Sequence, residues 1–304
     1  MSKQIATGVI LKRLGITILS LMAVMLAAAS SHAALVDGGD LKVRFDIDAD
    51  NSGFSFEGLT LNLHAGLGAK DGIKGEFSYG GYGVETIAYY YINDVFRKDE
   101  VNIGRFYIDW ASGASVTING SLAQNLQRRG GATAPADSGF HKGIGVKYKT
   151  DFERFTLVTS VSNHHPGDGT DLAGRGIFHL NPDLKIGVGV ASINRARAVN
   201  TSDFGLLIDA GYRTGPLHLL CEVVGINSRR QNGTETEFGF YAEAAYELTK
   251  KSLLYGGFYG AESLTDDLLV VGYKTGITPH VAIQGEICNT RDNWHLTLGL
   301  NVKF

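Results

Sequence analysis

The residues able to do chemistry in this chain are charges set two positions apart on otherwise apolar segments. Lys42, Arg44, Asp46 and Asp48 alternate with Leu41, Val43, Phe45 and Ile47, and Lys74 with Glu76 and Arg105 with Asp109 recur further on. Arg175, Lys185, Asp209, Glu222, Glu243 and Glu286 extend the series into the C-terminal half, where acids become more frequent. Charges on opposite walls of a narrow, wet passage set up a transverse field that orients water and dipolar solutes. Bond-making chemistry is not indicated. No Gly-x-Ser-x-Gly elbow or Walker-type loop occurs, and the adjacent His164 and His165 have a poor metal-ligand spacing. No metal, cofactor or enzyme activity is therefore expected, although a triad scattered over separate strands would leave no linear signature.

The elements that must position these charges are strands. A β-strand sends alternate side chains to opposite faces. In the last eleven residues Trp294, Leu296, Leu298, Leu300, Val302 and Phe304 share one face, while His295, Thr297, Gly299, Asn301 and Lys303 share the other. Period-two segments of this kind recur near 41–48, 54–67, 72–81, 84–94, 100–110, 140–149, 152–162 and 172–180. They continue near 184–193, 203–213, 216–226, 236–248, 252–260, 266–275, 279–288 and 293–304. The count is sixteen strands, with fourteen left open because 84–94 and 172–180 are weakly patterned. Following the apolar residues of 100–110, Phe106, Ile108 and Trp110 are expected to face outward, with Arg105 and Asp109 inward. Cys221 and Cys288 fall on opposite faces by the same alternation, which argues against a disulfide between them.

The N-terminus carries Lys3, Lys12 and Arg13, then an uncharged apolar stretch from Ile16 to Ala29, then Ser31-His32-Ala33. This is the pattern of a secretory signal peptide cleaved after residue 33, leaving 34–304 as a single domain. Loss of three basic residues and no acid moves the net charge from −3 to −6. That mild acidity gives no sign of nucleic-acid binding. No later apolar run is long enough for a membrane helix, so the mature chain is either secreted or a membrane-inserted antiparallel barrel.

The connections separate these two outcomes. Short turns at 69–72, 149–151, 181–183, 213–216, 248–251 and 276–279 all fall on one side, taken as periplasmic, and the polar stretches 162–171, 194–203 and 227–235 fall on the other. A transmembrane barrel sorts its loops this way; a soluble sandwich has no reason to. One outer connection, Ala111 to Ser138, runs for about 28 residues without a strand pattern. In a wide barrel such a third loop can fold into the lumen and narrow it.

The segments Gly53-Phe54-Ser55-Phe56-Glu57-Gly58, Leu59-Thr60-Leu61-Asn62-Leu63, Lys74-Gly75-Glu76-Phe77-Ser78-Tyr79-Gly80-Gly81 and Val101-Asn102-Ile103-Gly104-Arg105-Phe106 resemble the phosphate-selective porin O and P family of outer-membrane channels. Gly143-Ile144-Gly145-Val146 and Gly215-Pro216-Leu217-His218-Leu219 extend the resemblance over most of the mature chain. The resemblance implies a sixteen-stranded barrel, usually a trimer, that passes small hydrophilic solutes or ions by diffusion. It also implies that the barrel-assembly machinery reads the C-terminal strand, here through Leu300, Val302 and Phe304. Phosphate-selective members carry lysines on the third loop; here that loop has none, so at most a weak anion preference is expected.

The constriction candidates are Arg44, Arg105 and Asp109 with Arg128 and Arg129 on the long loop. Lys42, Asp46, Lys74, Glu76, Arg175, Lys185 and Glu222 are pore-lining candidates. The competing reading is a surface barrel acting as an adhesin through its outer loops.

Overall fold

The computed structural model describes residues 38–48, 53–80, 83–96, 98–108, 110, 115, 142–163, 169–195, 201–230, 233–261, 268–290 and 293–304. The predicted signal peptide, Asp109, Arg128, Arg129, His164 and His165 lie outside them. Within Gly38–Phe304 the strands are β1 Gly38–Asp48, β2 Gly53–Gly66, β3 Asp71–Gly80, β4 Gly83–Asn93, β5 Asp99–Tyr107, β6 Lys142–Asp151, β7 Phe155–Asn163 and β8 Asp171–His179. The second half comprises β9 Leu184–Arg195, β10 Thr201–Thr214, β11 Leu217–Arg230, β12 Gly233–Thr249, β13 Ser252–Ala261, β14 Leu268–Gly276, β15 Val281–Thr290 and β16 Asn293–Lys303.

Each strand pairs antiparallel with its sequence neighbours, and β1 pairs with β16 to close a sixteen-stranded barrel. Closure leaves no strand edge unpaired, which is what lets a sheet sit in hydrocarbon. The seam runs in continuous register from Asp40 opposite Lys303 to Asp48 opposite His295. Phe304 and Gly39 extend it with two further backbone hydrogen bonds of 3.0 and 3.1 Å.

The faces invert the rule of soluble proteins. On β10 the apolar Phe204, Leu206 and Ile208 are exposed, while Asp203, Leu207 and Asp209 point inward and are buried. Exposed aromatic side chains form two belts on the outside. Tyr79, Phe204, Phe238 and Trp294 lie toward the end with the longer connections, and Phe178, Tyr212, Tyr246 and Tyr273 toward the short-turn end. Paired aromatic girdles flanking an apolar band are the mark of a barrel in a bilayer. Cys221 is exposed on the outer face and Cys288 buried on the inner one, as the alternation predicts.

The short turns fall at one end of the barrel. Gly215-Pro216 joins β10 to β11 in two residues, with Gly215 at φ 55°, a left-handed conformation that glycine adopts without a Cβ clash. Two expectations change. The polar segment 227–235, read as a loop, is a hairpin in which β11 runs to Arg230 and β12 starts at Gly233. And β5 ends at Tyr107 instead of continuing to 110.

Candidate channel lumen and its constriction

The inner faces of β1 to β6 carry bases and aromatic rings. Lys42, Arg44 and Asp46 stand opposite Asn301, Gly299 and Thr297 of β16. Lys42 is 3.7 Å from Asp40, and Asp46 accepts a 3.2 Å hydrogen bond from Thr297 and lies 3.6 Å from His295. Lys74 places its ammonium 4.8 Å from the Tyr91 ring centre, and His64 stacks on the same ring at 5.9 Å. Lys147 lies 5.7 Å from Tyr89 and 5.3 Å from Phe106. A cation held over an aromatic face keeps its charge while losing freedom to wander. Glu76 accepts hydrogen bonds from Ser78 at 2.9 Å and from Tyr107.

Beyond Arg105 β5 parts from β4, although it stays paired with β6 as far as Tyr107 opposite Lys142. Pairing of β5 with β4 ends at Arg105 opposite Ala88, and Phe106, Ile108 and Trp110 are then completely buried. A glycine makes room for Trp110: a Cβ at Gly189 on β9 would collide with the Trp110 carbonyl oxygen. Ser115 continues across the lumen and donates a 2.6 Å hydrogen bond to Glu243 on β12, which also accepts one from Tyr241. Since β12 is seven strands from β5 in a ring of sixteen, Ser115 lies near the wall opposite the strand that ends at Tyr107.

The wall it reaches differs from the one it leaves. Ile108 and Trp110 join one apolar cluster with Ala173, Ala191, Ile193, Leu207, Leu220, Val224, Ile226, Tyr241, Tyr255 and Tyr259. Buried among these are charges already committed to partners. Arg175 and Asp209 are 2.6 Å apart and at most 7% exposed, and Gly187 between them lacks the Cβ that would strike both. Tyr255 donates to Glu286 at 2.8 Å while Gln284 donates to Tyr255 at 2.7 Å.

The sequence-predicted residues therefore separate into groups. Lys42, Arg44, Asp46, Lys74 and Glu76 lie on the inner face of β1 and β3. Arg175 and Glu222 lie buried on the opposite wall, and Lys185 is exposed on the inner face of β9 near the short-turn end. Arg105 is a correction. It pairs with the exposed Ala88 and Ile144, which puts it on the outer face, while Phe106, Ile108 and Trp110 are the inward residues. The outward phase of β5 is that of Val101 and Ile103; the later apolar triplet is in the other phase and serves the lumen. Glu243 was among the inward charges read from the sequence; Trp110, Ser115 and Tyr241 were not among the site candidates. The phase change at Gly104-Arg105 was the available signal for Trp110; the Ser115–Glu243 contact spans 128 positions and leaves none.

A closed ring of sixteen antiparallel strands, apolar outside and charged within, with Ile108 and Trp110 buried inside it, is the fold of a sixteen-stranded outer-membrane barrel. Solved structures of that kind superpose on it. The outer membrane protein OmpT of Vibrio cholerae with loop L8 deleted matches at TM-score 0.65 and 13% identity over 88% of this chain and 99% of that one. The anion-selective porin of Comamonas acidovorans matches at 0.63 and 14% over 88% and 98%, and OmpF of Salmonella typhi at 0.62 and 7% over 88% and 97%. At these identities the likeness is one of fold. No protein-family model and no curated protein matches the sequence.

Proposed function

We propose that this chain is a bacterial outer-membrane porin through which small hydrophilic solutes or ions diffuse passively, with a weak anion preference and no enzymatic step. The observation that carries the reading is the closed sixteen-stranded barrel whose polar face is inside, with Ile108, Trp110 and Ser115 of the third outer connection reaching the inner wall. Three of the connections at the far end, 81–82, 231–232 and 291–292, are two residues long, which offers an adhesin little to present. Membership of the phosphate-selective porin O and P group rests on the sequence motifs alone. Asp109, Arg128 and Arg129 keep their candidacy for the narrowest point, as does Arg44 on the inner face of β1.

Export follows cleavage after residue 33, and insertion follows recognition of Leu300, Val302 and Phe304 by the assembly machinery. The homotrimer is proposed on the family resemblance and on the trimer form of Vibrio cholerae OmpT, which shares the fold. Purified protein refolded into a planar bilayer is expected to give stepwise conductance well above leak. A folded, inserted barrel that gives no steps would refute the porin.

A further inference from the structure

The rim at the short-turn end is unevenly charged. In the turns of the β2–β7 sector Lys70 faces Asp94 at 3.7 Å, and Arg154 follows Glu153. In the β12–β15 sector the turns carry Lys250, Lys251 and His280 and no acid. All three are exposed, and among the described residues neither lysine has a carboxylate partner.

Both turns are held in a fixed shape. The Thr249 hydroxyl accepts the Lys251 N–H at 3.2 Å and lies 2.6 Å from the Ser252 hydroxyl. The Thr278 hydroxyl accepts the N–H groups of His280 and Val281 at 3.2 and 3.0 Å. The Lys251 carbonyl takes the Gly276 N–H at 2.8 Å, and the His280 carbonyl takes the Lys303 N–H at 2.8 Å. The two turns and the end of β16 are thereby one hydrogen-bonded strip, on which Lys303 is a third exposed lysine. The acids on the adjoining strand ends are engaged. Glu247 lies 3.0 Å from both Arg213 and His218, and Asp40 accepts from Asn62 at 3.2 Å beside Lys42.

The strip borders the lipid face. Leu248 is 53% and Ile277 59% exposed, and Tyr246 and Tyr273 of the aromatic belt stand on β12 and β14. Belt aromatics sit at headgroup level, so lysines just beyond them meet phosphates. We propose that this strip binds the headgroups of anionic phospholipids in the leaflet at the short-turn end. Lys250, Lys251 and Lys303 are the phosphate-binding cations, and Leu248 and Ile277 lie against the acyl chains. Each lysine near the surface favours anionic lipid about fivefold. The β2–β7 sector, with acids among its bases, has no such preference, so anionic lipid collects on one side of the barrel. The site rests on the barrel standing in a bilayer and not on conduction.

The test places an indole on the strip by Ile277→Trp, in a Trp294→Phe parent whose remaining Trp110 is buried. The protein is refolded into phosphatidylcholine vesicles containing a minor fraction of acyl-brominated phosphatidylglycerol or acyl-brominated phosphatidylcholine. The brominated phosphatidylglycerol is expected to quench the new indole about two- to fivefold more strongly. Lys250→Gln combined with Lys251→Gln, or molar salt, is expected to remove the difference. Val95→Trp, in the turn between β4 and β5, is expected to show none. Inorganic phosphate at matched ionic strength is expected to leave the preference in place. Native mass spectrometry gives a reading without a new side chain: the unsubstituted barrel is expected to retain more phosphatidylglycerol than the double lysine variant. Equal quenching by the two brominated lipids overturns the site, as does a preference that survives loss of both lysines. Displacement by inorganic phosphate also overturns it, making the strip a solute site instead of a lipid site. A folded barrel with the lipid preference but no conductance overturns the porin and leaves the lipid site standing.

Discussion

The two halves of the lumen solve the problem of inward charge in opposite ways. The β1–β6 wall steadies bases with aromatic rings, the half-buried Lys74 with Tyr91 and the buried Lys147 with Tyr89 and Phe106, and leaves Lys42 exposed. The β8–β15 wall buries Arg175, Asp209, Glu243 and Glu286 near Leu207, Val224 and the tyrosines, and gives Asp209 a base and Glu243 and Glu286 hydroxyl donors. An exposed charge acts on whatever passes; a buried pair acts on the fold. One wall is therefore built for traffic and the other for rigidity, although both have the same strand geometry and the same alternation.

The contrast is sharpest at Arg175. Replacing it with Met leaves Asp209 buried without its partner, and is expected to cost about 3–5 kcal/mol of unfolding free energy. The equivalent removal on the open wall, Lys42→Gln, is expected to cost no more than about 1 kcal/mol, because that pair is exposed to solvent. Urea unfolding in detergent micelles measures both, and equal losses would erase the distinction between the walls. Arg105 supplies the next test. As a cation on the outer face it opposes insertion by up to about 2–4 kcal/mol if it sits at the bilayer midplane, less near the rim. Arg105→Leu is therefore expected to stabilise the barrel in lipid and to leave the reversal potential unchanged; a shift in selectivity would return Arg105 to the lumen. The smallest effect is expected at Ser115, which donates to Glu243 on β12. Ser115→Ala removes one of two hydroxyl donors to Glu243 and is expected to cost about 1 kcal/mol, read as a small fall in the urea midpoint.

Most of the barrel was legible because lipid enforces a period of two wherever a strand crosses it. The segment 294–304 and the six turns from 69–72 to 276–279 are read from that constraint alone. Legibility fails where the constraint lapses. The hairpin of β11 and β12 extends past Phe238, where the strands carry the polar Asn227, Ser228 and Thr234 and show no apolar–polar alternation in sequence. In β5 the apolar residues after Gly104 belong to an internal contact, and apolarity alone does not say whether hydrocarbon or a packed lumen receives it. The pairing of Arg175 with Asp209 is likewise set by strand order, which brings β8 and β10 to either side of Gly187.

The seam between Gly39 and Phe304 has a mechanical consequence. The sheet is a hoop, and a hoop cannot fray from an edge. Loosening it means opening one ladder along its whole length, for which no partly peeled intermediate is cheap. Unfolding is thereby slow compared with the time over which a denaturant or detergent is applied, and the melting and refolding curves of the barrel are expected not to retrace each other. The last residue of the chain is in this sense a clasp: with Phe304 bonded to Gly39, resistance to unfolding is a matter of rate as much as of equilibrium.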